Sequence, residues 1–482
     1  MSCWYSSATK RLLRLMASAL VALALAPLCM TAQQVQPALE SPKPAIAPPT
    51  AVPDSEQNQG QTEQVHTGVT SGLDNEARLE ALLADHQFLR IESQLSQMAP
   101  EQAQFYKGIL ANRNNDSRGS IQLLEPLMDS VTASGNAGEE KLLRHALAED
   151  YLRMGDMPRA AKAYQSLAEH GHLSAAEQDE IELPLKLAPL AASNPPMTVE
   201  PYQPFLLQIT RNPLGLSDLP VYVDARAHAW MMDPTAPFNL ISRSEAKEAG
   251  LRVSEETATI RSLTGRPMSM HMTVIPRFTI GGRITFRNMT AFVFEDADYV
   301  FPKSNYQVEG VLGYAALSAL GSLTVTSDST IEVRPYKPML ATEKQDPPTA
   351  GARFFLDGDQ MIAAIGPRGQ ERMFVVDASG QQTYFTSRFY DEHSDRFSGQ
   401  KMALFSIPGA ESKPPEPAIT AETIPLTIGP TDVEAHYIQV LTQPVGLMAL
   451  DDVYGVLGMD FLDQLKSYTF DYRTMKFSVR TE

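Results

Sequence analysis

Residues 453–462 read VYGVLGMDFL, and residues 308–317 read VEGVLGYAAL. Each is followed by a short polar or amphipathic stretch and a terminal run with strand alternation, LTVTSDSTIEVRP at 323–335 and YTFDYRTMKFSVR at 468–480. Counting backwards, Asp233 precedes Gly313 by 80 residues and Asp377 precedes Gly458 by 81; each aspartate ends an apolar run, MMD or FVVD. Asn239-Leu240-Ile241-Ser242 and Thr383-Tyr384-Phe385-Thr386 then begin at the same offset, and TIGG at 279–282 is loosely matched by TIGP at 427–430. One apolar motif can recur by chance, but an ordered series points to an internal duplication.

The surrounding runs fit strands. VYVDARAHAW, TATIRS, MTVIPRFTIGG and TFRNMTAFVF alternate or are rich in β-branched residues, with glycines and polar residues supplying turns. We expect two related β-rich lobes, residues 205–340 and 350–482, joined through the polar connector KPMLATEKQDPPT, with the Pro-rich SIPGAESKPPEPAIT at 406–420 as a surface loop of the second. Related lobes place equivalent strand ends on either side of a pseudo-twofold axis. That symmetry would bring Asp233 and Asp377 together although 144 residues separate them.

The pattern resembles the bilobal or tandem retropepsin-like aspartic proteases over roughly residues 205–482. In that family each lobe contributes an aspartate in an Asp-Thr/Ser-Gly loop, and an apolar-apolar-Gly segment packs beside it. The matching positions are Asp233-Pro234-Thr235-Ala236 with Val311-Leu312-Gly313, and Asp377-Ala378-Ser379-Gly380 with Val456-Leu457-Gly458. The resemblance implies a mixed α and β chain, an N-terminal helical repeat domain followed by two retropepsin-like β-barrel lobes. It also implies an exported aspartic endopeptidase in which Asp233 and Asp377 are catalytic and the other loop residues are their supports. Two adjacent carboxylates cannot both lose a proton cheaply, so one would activate water while the other protonates the carbonyl oxygen and then the leaving nitrogen. No cofactor or metal enters that chemistry.

The loops depart from the family pattern. Pro234 and Ala378 lack the hydroxyl that braces the two loops, Thr235 and Ser379 put side chains where glycine is expected, and Pro234 lacks a backbone donor and has a fixed φ. A second reading therefore stands beside the first: a noncatalytic peptide- or protein-binding module with a degenerate aspartic protease fold. Both readings expect an extended peptide or protein as partner, held through edge-strand hydrogen bonds and side-chain pockets.

Upstream, residues 75–195 read as helices. Leu79, Leu82, Leu83, Leu89 and Ile91 open the pattern, and 104–128 and 142–170 continue it. The segment 142–170, with Ala148, Tyr151, Gly155, Ala160 and Tyr164, resembles a tetratricopeptide hairpin turning at Gly155-Asp156. Gly108, Ala111, Ser120 and Leu124 hold corresponding places 40 residues earlier, a spacing longer than the family's usual period. Such repeats offer a protein partner a groove, or serve only as packing.

Residues 1–32 have the layout of a secretory signal peptide: Lys10, Arg11 and Arg14 precede the apolar run LMASALVALALAPLCM, and small residues surround Ala32. An uncleaved membrane anchor is the rival, although that run is shorter than the ~20 residues needed to span and contains Pro27. Residues 33–74, rich in Pro, Gln, Ser and Thr, read as a disordered linker. The expected location is periplasmic or extracellular.

Composition narrows the remaining classes. The 482 residues carry 40 Lys plus Arg against 57 Asp plus Glu, and the formal charge of -17 argues against nucleic acid as a main partner. Both cysteines, Cys3 and Cys29, fall in the leader, so the rest of the chain holds no disulfide, thiolate metal site or cysteine nucleophile. The nine histidines show no ligand spacing, and Gly281-Gly282 reads as a hairpin turn rather than a phosphate loop. Ser254-Glu255 and the Ser/Thr-rich strands offer no nucleophile elbow, while Asp460 and Asp471 read as surface or helix-capping residues.

Overall fold

A computed structural model describes residues 70–261, 267–301, 304–336, 350–358, 360–407, 414–446 and 448–481. These residues belong to one unit, spanning 67–482. The expected signal peptide and nearly all of the expected linker lie outside them, as does the connector 337–349.

Among the described residues eight α-helices lead, beginning with Thr70–Ala84 and ending with Ala175–Ala191. Their ends are set by local chemistry. Asp116 caps Ser117–Leu124 by accepting from Gly119 N at 3.0 Å, Asp156 caps Met157–His170 in the same way, and Ser174 forms a reciprocal capping box with Glu177. Gly155, at φ 71°, supplies the left-handed turn between Ala137–Arg153 and Met157–His170. Small residues let these helices approach: Ala148 and Ala160 are fully buried, and a Cβ on Gly108 would run into the Leu124 side chain.

The helices dock on strands of the second β-rich half. Phe88 packs its ring 5.0 Å from that of Phe355, both almost fully buried in a core shared with Ile362, Val375 and Leu441. Asp357 receives Arg113 at 3.0 Å and His86 at 2.5 Å, while Arg353 pairs with Glu92 and Arg388 with Asp85. Burial works against ionisation of Asp357. The Arg113 and His86 charges outweigh it and hold the carboxyl well below its usual range.

Among the described residues the strands form two large sheets and one small hairpin. A nine-stranded sheet runs in the order Thr198–Val199, Ile284–Phe294, Leu240–Ser242, Gly310–Leu312, Arg226–Met232, Ser217–Val223, Pro267–Ile280 and Ala258–Arg261. Thr210–Arg211 pairs with Ser217–Val223, and the long hairpin of Pro267–Ile280 with Ile284–Phe294 turns part of the sheet back on itself. A thirteen-stranded sheet starts at Met402–Phe405, passes through the second half to Lys476–Arg480 and Ser467–Asp471, and continues into Ser322–Thr326, Thr330–Arg334 and Phe205–Gln208.

The expected pair of retropepsin-like β-barrel lobes is therefore corrected to a mixed α/β fold, an N-terminal helical region beside two large β-sheets, one of which takes strands from both halves. The reason lies in the terminal hairpins. Ser322–Thr326 pairs antiparallel with Ser467–Asp471, so terminal strands of the first half satisfy their backbone groups on the second half. Thr324 meets Thr469 at the middle of that register, with their hydroxyls 2.9 Å apart. The Pro-rich surface loop is also shorter than expected, because Glu416–Ile428 is already strand; residues 408–413 are outside the described set.

Candidate functional site

Both aspartates stand at strand ends pinned by the VLG segments. Gly310–Leu312 lies parallel to Arg226–Met232, with Val311 opposite Met231 and Leu312 opposite Met232; Gly455–Leu457 lies parallel to Arg372–Val376, with Val456 opposite Val375 and Leu457 opposite Val376. The next amide in each case is the aspartate's own: Asp233 N donates to Leu312 O at 3.0 Å and Asp377 N to Leu457 O at 2.9 Å. The same segments pair antiparallel with Leu240–Ser242 and Tyr384–Phe385.

The glycines after Leu312 and Leu457 have a packing reason. A Cβ on Gly313 would strike the Phe238 carbonyl oxygen, and one on Gly458 would sit 2.6 Å from the Gln382 carbonyl carbon. Two polar side chains that the sequence did not single out for this role fix these crossings. Gly313 N donates to Asn239 Oδ1 at 3.2 Å, and Gly458 N to Thr383 Oγ1 at 2.8 Å. Their matched offset in the duplicated motif was the signal that could have found them. Thr383 in turn donates to Oδ1 of the exposed Asp460 at 2.6 Å, whereas Asp471, expected as a surface or helix-capping residue, is fully buried against Arg473.

Each aspartate is used first by its own loop. Asp233 Oδ1 accepts from Thr235 N at 2.9 Å, Thr235 Oγ1 at 2.6 Å and Ala236 N at 3.0 Å. Asp377 Oδ1 accepts from Ser379 N at 2.9 Å and Ser379 Oγ at 2.7 Å. The third-position hydroxyls fold back on the carboxylate two residues earlier, and these are the turn geometries Asp favours. Electrostatically the two loops sense one another. Burial, together with the Asp233 charge, raises the Asp377 carboxyl to about 6 against the opposing Ser379 hydroxyl and loop amides.

A cavity of about 360 Å³ adjoins the first loop. Pro234, Pro237 and Phe238 form one wall, Tyr314 another, and Met154 and Met157 enter from the helical region. Among the described residues no helix is long and apolar enough to cross a membrane.

A family model described as aspartyl protease matches residues 219–316, so that segment is a retropepsin-like aspartic-protease family domain. The match contains Asp233 and the first VLG segment and ends before Asp377. No curated protein matches the chain. Among solved structures, Basic 7S globulin from soybean aligns with a TM-score of 0.36 at 10% identity, covering 58% of this chain and 95% of its own. Conglutin gamma, a basic 7S globulin from lupine seeds, aligns with a TM-score of 0.36 at 8% identity, covering 58% and 96%. At these values neither likeness carries an argument about this chain.

The expected aspartic endopeptidase, with its hydrolase and protease class, is corrected at this point: among the described residues a catalytic Asp-Asp dyad is not found. Pro234 and Ala378 provide no hydroxyl to brace one loop against the other, and the hydroxyls of Thr235 and Ser379 are committed within their own turns. Among the described residues no hydrogen bond links one carboxylate to the other. The family match reaches only one of the two loops.

Proposed function

We propose that the chain is a noncatalytic peptide- or protein-binding module built on a degenerate aspartic-protease fold. The cavity beside the Asp233 loop carries this reading. Its volume of about 360 Å³ falls in the range of ligand pockets, and its walls of proline, aromatic and methionine side chains suit one apolar side chain of an extended peptide. Backbone pairing along an exposed sheet edge would add affinity without depending on sequence. In this role Asp233 and Asp377 shape their loops, supported by Pro234, Thr235, Ala236, Ala378, Ser379 and Gly380.

The reading also takes the two halves as related lobes. The repeated Asp N to Leu O bonds and the matched parallel pairings favour it. The capped helices with small residues at their crossings favour a degenerate tetratricopeptide-like domain that could carry a second protein partner. The basic and apolar leader favours export to a periplasmic or extracellular location.

Filling the cavity tests the proposal. Ala315→Trp should weaken capture of the best peptide from a displayed random library by at least tenfold, a change of about 1.4 kcal/mol, while leaving the circular dichroism spectrum unchanged. Equal capture by the parent and a folded variant would reject the cavity as the peptide site.

A further inference from the structure

His228, Glu245 and Glu309 come together away from the aspartate loops. His228 sits on Arg226–Met232, Glu309 directly precedes the neighbouring strand Gly310–Leu312, and Glu245 lies in the first turn of the helix Arg243–Glu248. One ligand-type atom from each falls within 4.8 Å of the others. This cluster is not legible in the sequence, because its members are 17 and 64 residues apart and follow no ligand spacing. Strand pairing alone brings them together.

The separations are informative. His228 Nδ1 stands 3.4 Å from Glu245 Oε1 and 3.2 Å from Glu309 Oε2. A charge-assisted hydrogen bond prefers about 2.7–2.9 Å. Ligand atoms around a tetrahedral cation with bonds of about 2.0–2.2 Å stand about 3.3–3.6 Å apart, close to both spacings from His228 Nδ1, the shorter of which is also a long hydrogen bond, while the two glutamate oxygens lie within 4.8 Å of each other.

Charge points the same way. Glu245 has only 3% of its side chain exposed, and among the described residues no Lys or Arg forms an ion pair with it. Its oxygens accept from the fully buried Trp230 Nε1 at 3.0 and 3.2 Å, a contact that fixes the carboxylate as an outer-shell donor fixes a metal ligand. A buried carboxylate facing another acid needs either a proton or a cation.

We propose that His228 Nδ1, Glu245 and Glu309 form a binding site for a divalent transition-metal ion of the zinc class. One imidazole nitrogen and two carboxylate oxygens suit that class better than Mg²⁺ or Ca²⁺, which favour all-oxygen shells. Three protein ligands leave a fourth position for water or a partner's side chain.

The test uses the full chain, stripped with a chelator and titrated calorimetrically with Zn²⁺ at neutral pH. One equivalent should bind with a Kd of about 10 μM or tighter, and millimolar Mg²⁺ should not compete. Glu309→Gln, at an exposed position where folding is not at stake, and His228→Ala should each weaken binding at least tenfold, with circular dichroism confirming the fold. The proposal is overturned if the parent shows no site tighter than about 100 μM, or if both folded variants bind as the parent does.

Discussion

Asp377 should make the protein less stable as pH rises from acidic to neutral. The folded carboxyl is raised to about 6, against an ordinary value of 3.8, so the folded chain holds this proton more tightly than the unfolded chain. A raised carboxyl favours folding when protonated. Its contribution is therefore fully present below about pH 4 and is lost as pH climbs through the folded value near 6. At about 1.36 kcal/mol per pH unit the loss is on the order of 3 kcal/mol, part of it arising from the Asp233 charge. Asp377→Asn keeps an oxygen for the Ser379 amide and hydroxyl but cannot ionise. Urea unfolding of parent and variant at pH 4, 5, 6 and 7 should give curves that diverge with pH, the variant being the more stable at pH 7. Parallel stability–pH curves would refute the coupling of burial and like charge at these loops.

Two further substitutions probe how the site is held. Gly458→Ala forces a Cβ against the Gln382 backbone and should lower stability by about 1–3 kcal/mol or more, measured by thermal unfolding; an unchanged melting temperature would show that this crossing is looser than described. Phe88→Ala should cost about 3–5 kcal/mol, because it empties the contact with Phe355 that joins the helices to the second half. If it instead costs under about 1 kcal/mol, the helices contribute little to that core.

The sequence made the duplicated parts readable because they are local. VLG after an apolar strand, an aspartate at the end of MMD or FVVD, and Gly155-Asp156 between two helices each impose their geometry within a few residues. What escaped it depends on distant partners. Nothing in LTVTSDSTIEVRP or YTFDYRTMKFSVR states that these hairpins pair with each other, yet that pairing joins strands of both halves in one shared sheet. Likewise Thr235 and Ser379 could have braced the two loops across the site. Their hydroxyls instead reach the aspartate two residues back, which is the shortest route to a satisfied turn. Phe88 lies beside Leu89 in the helical pattern without being singled out by it, and only Phe355 opposite it gives it a docking role. The metal-binding candidates were likewise hidden, since Glu245 reaches His228 through the placement of a six-residue helix.

The most direct test of the central claim is to incubate the pure chain with a proteome-derived peptide library from pH 3 to 8, and to identify retained peptides and new termini by mass spectrometry. A parallel sample carries both Asp233→Asn and Asp377→Asn. A binding module retains peptides in both samples and generates no termini specific to the parent. New termini made by the parent and absent from the double variant would contradict the account and restore the two aspartates as a catalytic pair.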